Sequence, residues 1–365
     1  GPRALYLIAD TYRMAAVYDL AAQYYEEYVK RHPKEQKVKK ALVYASQFRR
    51  SLGDYRQAVK DYERFIKLFR KDPKVPVVYF DIGMLYVRQE QWTSATRHFN
   101  AYLKKYGKAG GVNLRLSAMR QLGEAAMQLR RPDRARKQAD ELIATFKVLT
   151  PEERKKINSR GVSAIAWAFF NIGDSMFKEA SGIRLTRSKL KEATENKMKV
   201  LLEAEKYYMT VLSLKQPNWS TAALYRIGAS WEKFASEFEN SPLPRGLDAY
   251  EQEEYRFALS EFAEGFRKKA AAAYRECLNV AKTSRIFNDY TDKAQLHLSQ
   301  LSIESAGLRE YRIRPGYYEA GANPPAFRDR KVLVFQADLG PEKVPNPTLD
   351  EKPTGEGEKA GGEAQ

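Results

Sequence analysis

Cysteine is almost missing from this chain: Cys277 stands alone among 365 residues. No intramolecular disulfide can close, and no thiolate zinc site can be built. Cys277 itself sits at a helix packing position, where a small buried hydrophobe is expected. Histidine is scarce as well. His32, His98 and His297 lie far apart, and none has a carboxylate or another histidine at ligand spacing. Long apolar runs are absent. The longest uncharged stretch near the middle, Gly161 to Gly173, has 13 residues, below the ~18 that a membrane span needs. No signal peptide opens the chain. Gly1-Pro2 reads as a protease-cleavage scar, so a missing leader leaves the compartment open.

Catalytic patterns are lacking too. Carboxylates are many, yet no pair stands in an apolar setting that would separate an acid from a base. Gly107-Lys108-Ala109-Gly110-Gly111 is glycine-rich but follows a helical stretch and lacks a closing Gly-Lys-Ser/Thr. It is an inter-helix turn and not a phosphate loop. The expectation is no enzyme activity, no catalytic residues, no cofactor and no metal.

What the chain has in plenty is tyrosine, phenylalanine and charge. There are 23 Tyr and 17 Phe, 30% of residues are charged, and the net charge is +17. Six acids and three lysines lie in residues 341–365, so the body before them carries +20. A basic body favours acidic partners: nucleic acid, anionic headgroups or an acidic protein face. Basic clusters occur at Arg130, Arg131, Arg134, Arg136 and Lys137, at Arg154 to Lys156, and at Arg267 to Lys269. Few aromatics interleave them, which argues against single-stranded RNA. Solvated helix faces are the plainer reading. Contact with an anionic membrane surface is a further one.

A repeat runs through this composition. Ala21, Ala58 and Ala95 are spaced by 37 and 37 residues, Ala135 follows after 40, Ala204 after 69 and Ala270 after 66. Upstream of each alanine stands an apolar residue followed by a small one: Ile8-Ala9, Ala45-Ser46, Ile82-Gly83, Leu122-Gly123, Ile172-Gly173 and Ile227-Gly228. Aromatics follow each of the first three alanines, and then a helix breaker: His32-Pro33, Asp72-Pro73, Gly107. Small residues let one helix approach its partner, and aromatics fill the space beside them. One helix pair cannot bury its apolar face alone, so pairs must stack.

The pattern resembles the tetratricopeptide repeat over roughly residues 2–285. The third unit carries it best, with Tyr79, Ile82, Gly83, Tyr86, Trp92, Ala95, Phe99 and Tyr102 at helix-packing positions. The second has the turn Gly53-Asp54-Tyr55 but Arg49 where the family favours an aromatic. The fourth has Ala126 and Ala139 at large-residue positions. The resemblance implies an all-α, right-handed superhelical solenoid of about six helix pairs. Residues 1–149 would hold four units and 150–285 two elongated ones. In the first of these a helix is expected from Pro151 to about Gly182, capped by Thr150. A capping helix is expected over 286–310, then an extended segment docked on the body over 311–340 and a disordered acidic tail over 341–365.

The resemblance also implies that the first helix of each pair lines a concave groove. Carrying its offsets over gives Tyr6, Asp10, Arg13, Val43, Gln47, Arg50, Phe80, Met84, Arg88, Arg120, Glu124, Phe170, Asp174, Phe177 and Tyr225. Aromatic and methionine side chains alternate there with guanidinium groups, which suits an extended peptide or a helix bearing apolar and acidic residues. Asp10, Gln47 and Met84 stand where the family's carboxylate-clamp asparagine would be sought, so that mode is not expected. The implied function is a non-catalytic scaffold for other proteins. Units one to three resemble bacterial envelope adaptors, which favours the periplasm or cell envelope. The alternatives are a basic nucleic-acid-associated cytoplasmic protein and an accessory domain of a larger protein.

Overall fold

In the computed structural model the chain divides into two units, Gly1–Leu301 and Ser302–Gln365. The structure describes residues 1–303, so the architecture is that of the first unit. Among these residues there is no strand. Six helix pairs run in order, each with a first helix (A) and a second (B). They are α1 (Pro2–Met14) with α2 (Tyr18–Arg31), α3 (Val38–Ser51) with α4 (Tyr55–Leu68), and α5 (Val75–Arg88) with α6 (Trp92–Tyr106). Then come α7 (Gly111–Gln128) with α8 (Pro132–Lys147) and a short α9 (Pro151–Lys155). The last pairs are α10 (Ser159–Gly182) with α11 (Leu190–Ser213), and α12 (Pro217–Glu239) with α13 (Ala249–Ser284). The final described helix is α14 (Asp289–Ile303). Each A helix packs on its own B helix and on the B helix before it, which is the solenoid arrangement.

The small residues of the A helices explain this packing. A Cβ on Gly83 would lie 2.7 Å from the Phe99 ring, one on Gly173 2.7 Å from Tyr208, and one on Gly228 2.4 Å from Tyr274. Each glycine therefore receives the ring that stands four residues after the repeat alanine. Phe99, Tyr208 and Tyr274 are wholly buried. Burial of such a ring stabilises by about 1.5–3 kcal/mol. Unit four has Ala139 at the ring position. There Gly123 instead faces Trp167 of α10, whose Cη2 lies 2.0 Å from where a Cβ would be. The next unit's indole supplies the volume that Ala139 lacks.

Turns repeat as well. Ala16, Gly53, Glu90 and Arg130 close the A–B turns of units one to four with φ of 58°, 79°, 55° and 55°. In three of them the N–H just past this left-handed residue bonds back to a carbonyl in the helix, as Val17 N–H does to Tyr12 O at 2.9 Å.

Two features differ from the sequence expectation. Thr150 caps a helix with a full capping box to Glu153, but that helix ends at Lys155. α10 starts afresh at Ser159, because the Asn158 side chain accepts from Arg160 and Gly161 N–H and acts as a second N-cap. Arg49 does not fill an aromatic's place. It forms a bidentate pair with Glu26 of the preceding B helix, at 2.5 and 2.9 Å. The expected docked segment at 311–340 and acidic tail at 341–365 lie outside the described residues.

The long helices of units five and six are tied at their outer ends. Lys197 on α11 is 2% exposed. It pairs with Glu237 of α12 and donates to Ile183 O at 3.0 Å.

Candidate binding groove

Side chains from A helices of different units touch each other. The Arg160 guanidinium of α10 lies over the Phe80 ring of α5, 5.8 Å from its centroid. Arg120 of α7 lies 5.4 Å from the Trp219 ring of α12. Phe170 of α10 and Tyr290 of α14 have ring centroids 6.1 Å apart. Each contact skips one unit. Such second-neighbour contacts put the A helices on the inner side of the stack's curve.

Along this inner face a polar device recurs. A carboxylate on an A helix accepts from the hydroxyl of its partner's ring-position tyrosine and also meets a cation or a histidine. In unit one Asp10 accepts from Tyr25 at 2.9 Å and from Arg13 at 2.7 Å. In unit five Asp174 accepts from Tyr208 at 2.9 Å and from Arg226 of the next unit at 3.0 Å. In unit six Glu232 accepts from Tyr274 at 2.6 Å and meets His297 of α14 at 2.8 Å. The environments differ. Arg13 holds the more open Asp10 carboxyl below its ordinary range. Burial pushes the Asp174 carboxyl above it despite Arg226 and Tyr208.

Three inner-face arginines are thus already paired: Arg13 with Asp10, Arg120 with Glu124 at 2.7 Å, and Arg226 with Asp174 at 2.9 Å. Arg120 also donates to Ser163 Oγ at 3.0 Å, and the Trp219 indole N–H meets the same hydroxyl at 3.0 Å. From unit four onward the inner face is largely occupied by its own contacts.

The groove residues expected from sequence therefore divide. Tyr6, Phe80, Phe170 and Tyr225 are buried, between 4% and 8% exposed, and do not line an open groove. They form ring clusters within and between repeats. Tyr6 sits 5.5 and 5.3 Å from Tyr25 and Tyr28, and Phe80 sits 5.3 Å from Phe99. Phe170 meets Trp219 at 5.4 Å, and Tyr225 meets His297 at 5.8 Å. Arg13, Arg120 and Phe177 are half-buried, the last under the Arg226 guanidinium at 5.9 Å. Val43, Arg50 and Met84 are half-buried and Gln47 and Arg88 exposed. Of these five, on units two and three, Gln47 and Arg88 are open, and Val43 and Met84 lie partly against the core.

Two residues at this stretch carry no mark in the sequence pattern. Asp81 is half-buried on α5. Burial raises its carboxyl, offset by the charges of Arg50, Arg160 and Arg88. Arg160 arrives from α10, beyond unit four. Asp81 was findable, since it adjoins Phe80. Arg160 was not, because its approach depends on the curvature and on the α9–α10 break.

Other chemistry-bearing groups are engaged in packing. Cys277 is fully buried, its thiol pushed up to about 12 by that burial. His98 stacks on Tyr79 at 4.2 Å and bonds its carbonyl at 2.7 Å. Among the described residues no group of three His, Cys, Asp or Glu is placed to hold a metal. No helix among them is long and apolar enough to cross a membrane.

Comparison with known proteins places the chain. A family model described as tetratricopeptide repeat matches residues 41–109 and 80–147, and a second of the same description matches 3–35. No curated protein matches the sequence. Similar solved structures include a tetratricopeptide repeat protein from Parabacteroides merdae. It is 14% identical over 83% of this chain and 98% of that one, with a TM-score of 0.35. A TPR repeats protein from Bacteroides fragilis is 16% identical over 73% and 98%, with a TM-score of 0.34. YrrB, described as a TPR protein with an unusual peptide-binding site, is 15% identical over 73% and 100%, with a TM-score of 0.36. The family matches fall on units one to four, where a small residue and a turn recur at 37 to 40 residues, and these units are tetratricopeptide repeats.

Proposed function

We propose that this chain is a non-catalytic scaffold that holds another protein, as an extended peptide or a helix, on the inner face of units two and three. The observation that carries the reading is the contrast along that face. Units four to six fill it with their own ion pairs and rings, whereas Gln47 and Arg88 are exposed beside the half-buried Val43, Arg50 and Met84. Apolar, amide and guanidinium groups on a rigid face suit a segment with alternating apolar and polar side chains. A photo-crosslinking residue at position 47 tests this in the native host. A discrete cross-linked protein that is absent when the probe is moved to the exposed Lys60 on α4 supports it. The same products from both positions would end it.

The setting favoured by the resemblance of units one to three is an assembly of the bacterial cell envelope, and fractionation of host cells tests that. The net charge of +17 supports a second reading, a basic cytoplasmic protein associated with nucleic acid. That reading requires binding that survives physiological salt, because contacts to phosphates alone weaken steeply as salt rises.

A further inference from the structure

Three guanidinium groups of the inner face act on one carboxylate, Asp81, and among the described residues none of them is in an ion pair. Arg50 comes from α3, Arg88 from α5 and Arg160 from the first turn of α10. Among the described residues none of the three lies within ion-pair distance of a carboxylate, although Arg13, Arg49, Arg115, Arg120 and Arg226 all do. Their charges fall on one half-buried carboxylate, Asp81, whose chain neighbour Phe80 presents the ring that Arg160 covers. One carboxylate against three cations leaves an excess of positive charge. Holding like charges together costs free energy unless an anion joins them.

We infer that Arg50, Arg88 and Arg160 form a receptor for side-chain carboxylates of an acidic, extended segment of a partner protein. This inference rests on the binding-face reading above and names the partner's chemistry. A guanidinium offers a planar fork that matches a carboxylate in two parallel hydrogen bonds. The half-buried Val43 and Met84 lie on the same helices as Arg50 and Arg88, which suits acidic residues interleaved with apolar ones. Nucleic acid fits the place less well. Asp81 sets a negative charge inside the cluster, against a dense row of phosphates, and Phe80 is buried and offers no open face to stack a base.

The test uses the full chain and a fluorescein-labelled oligoglutamate peptide containing interspersed leucines, read by anisotropy. An oligoglutamine peptide of the same pattern and an oligothymidylate serve as comparison probes. Arg88→Gln and Arg160→Gln should each weaken the oligoglutamate complex about tenfold, the loss of one charge-assisted pair. Arg134→Gln, at an exposed position of α8, should leave it unchanged. Asp81→Asn should tighten it, because the competing carboxylate is removed. That gain is a change a purely structural role would not produce. Thermal melts of each variant show whether the fold survives. Arg88 is exposed and has no hydrogen bond or ion pair among the described residues, so Arg88→Gln keeps the test open if Arg160→Gln unfolds. Equal losses from Arg88→Gln and Arg134→Gln would reduce the effect to overall charge and overturn the inference. So would tighter binding of oligothymidylate with the same dependence on Arg88 and Arg160. A cross-linked partner from position 47 whose capture ignores Arg88→Gln and Arg160→Gln would keep the scaffold and sink this site alone.

Discussion

The hydroxyl of Tyr208 donates to Asp174 across 2.9 Å, and this bond joins the two helices of unit five where Gly173 lets the ring in. The tyrosine and the carboxylate depend on each other. Without the hydroxyl, Asp174 keeps only Arg226, at 3.0 Å, inside a pocket whose burial already disfavours its charge. Tyr208→Phe keeps the ring and should cost about 1.5–3 kcal/mol, the scale of a hydrogen bond to a charged group. Urea unfolding measures it. A cost below ~0.5 kcal/mol would mean that water replaces the hydroxyl.

Glycines on helices of this chain predict opposite effects of one substitution. Gly228→Ala should be destabilising by about 1–3 kcal/mol, because the new Cβ would stand 2.4 Å from Tyr274 and the ring must shift. Gly265→Ala should stabilise by about 0.5–1 kcal/mol. It lies inside α13 with nothing within 4 Å of its Cβ position, so only the helix preference of alanine acts. Paired melting curves check both, and equal shifts would contradict the packing.

The repeat was legible because its cause is local: a small residue, a ring and a turn at fixed separations. Gly83, Gly173, Gly228 and Phe99 came directly from it, whereas Tyr208 and Tyr274 are seen only in the packing. The groove was less legible. Its offsets placed Tyr6, Phe80, Phe170 and Tyr225 along the groove, yet all four are buried. Sequence spacing gives the face of a helix but not how much of that face the next repeat covers. Arg160 was missed for the same reason: its neighbour Phe80 lies two units away. The carboxylate–tyrosine pairs had a signal that could have been used. Asp10 and Asp174 each come directly after the small residue, and Tyr25 and Tyr208 stand four residues after the repeat alanine.

The left-handed turn positions give a third prediction. Among units one to four, only the second places glycine there. Ala16, Glu90 and Arg130 hold φ of 55° to 58° with side chains that disfavour it. Glu90→Gly and Arg130→Gly should each stabilise by about 0.5–1 kcal/mol, the relief of strain less the greater freedom of the unfolded chain. Gly53→Ala should be destabilising by about 1 kcal/mol. Chemical denaturation of the single variants reads the sign directly, and destabilisation by Glu90→Gly would show that the side chain is held there by its contacts.

The fourth concerns the buried lysine that ties the long helices. Lys197→Met removes the charge and keeps most of the volume. Glu237 would retain only Lys233, at 3.8 Å, and the Ile183 carbonyl would lose its donor. Glu237 is a third exposed, so water softens the loss, and about 1–3 kcal/mol is expected. Hydrogen exchange should quicken over the 183–197 segment more than over α1 to α8. A uniform change would mean that the tie is not local.

Asp61 supplies a pH dependence whose sign can be worked out. It is 4% exposed on α4. One oxygen has no hydrogen-bond partner, and the other meets Gln57 only at 3.5 Å. Burial raises its carboxyl to about 8, helped by Glu26 and opposed by Arg49 and Arg64. The ordinary value is 3.8. Between the two values the folded chain holds a proton that the unfolded chain has lost. Stability therefore falls as pH rises through that window and levels off above it. Asp61→Asn removes the titration while keeping the shape. The variant should exceed the parent by a margin that grows as pH rises through that window, and should converge with it toward pH 4. Other groups titrate over the same range, so the measured quantity is the difference between the two proteins and not either curve alone. A difference that stays constant from pH 4 to pH 8 would show that Asp61 is ionised in the fold, with Arg49 turned from Glu26 to meet it.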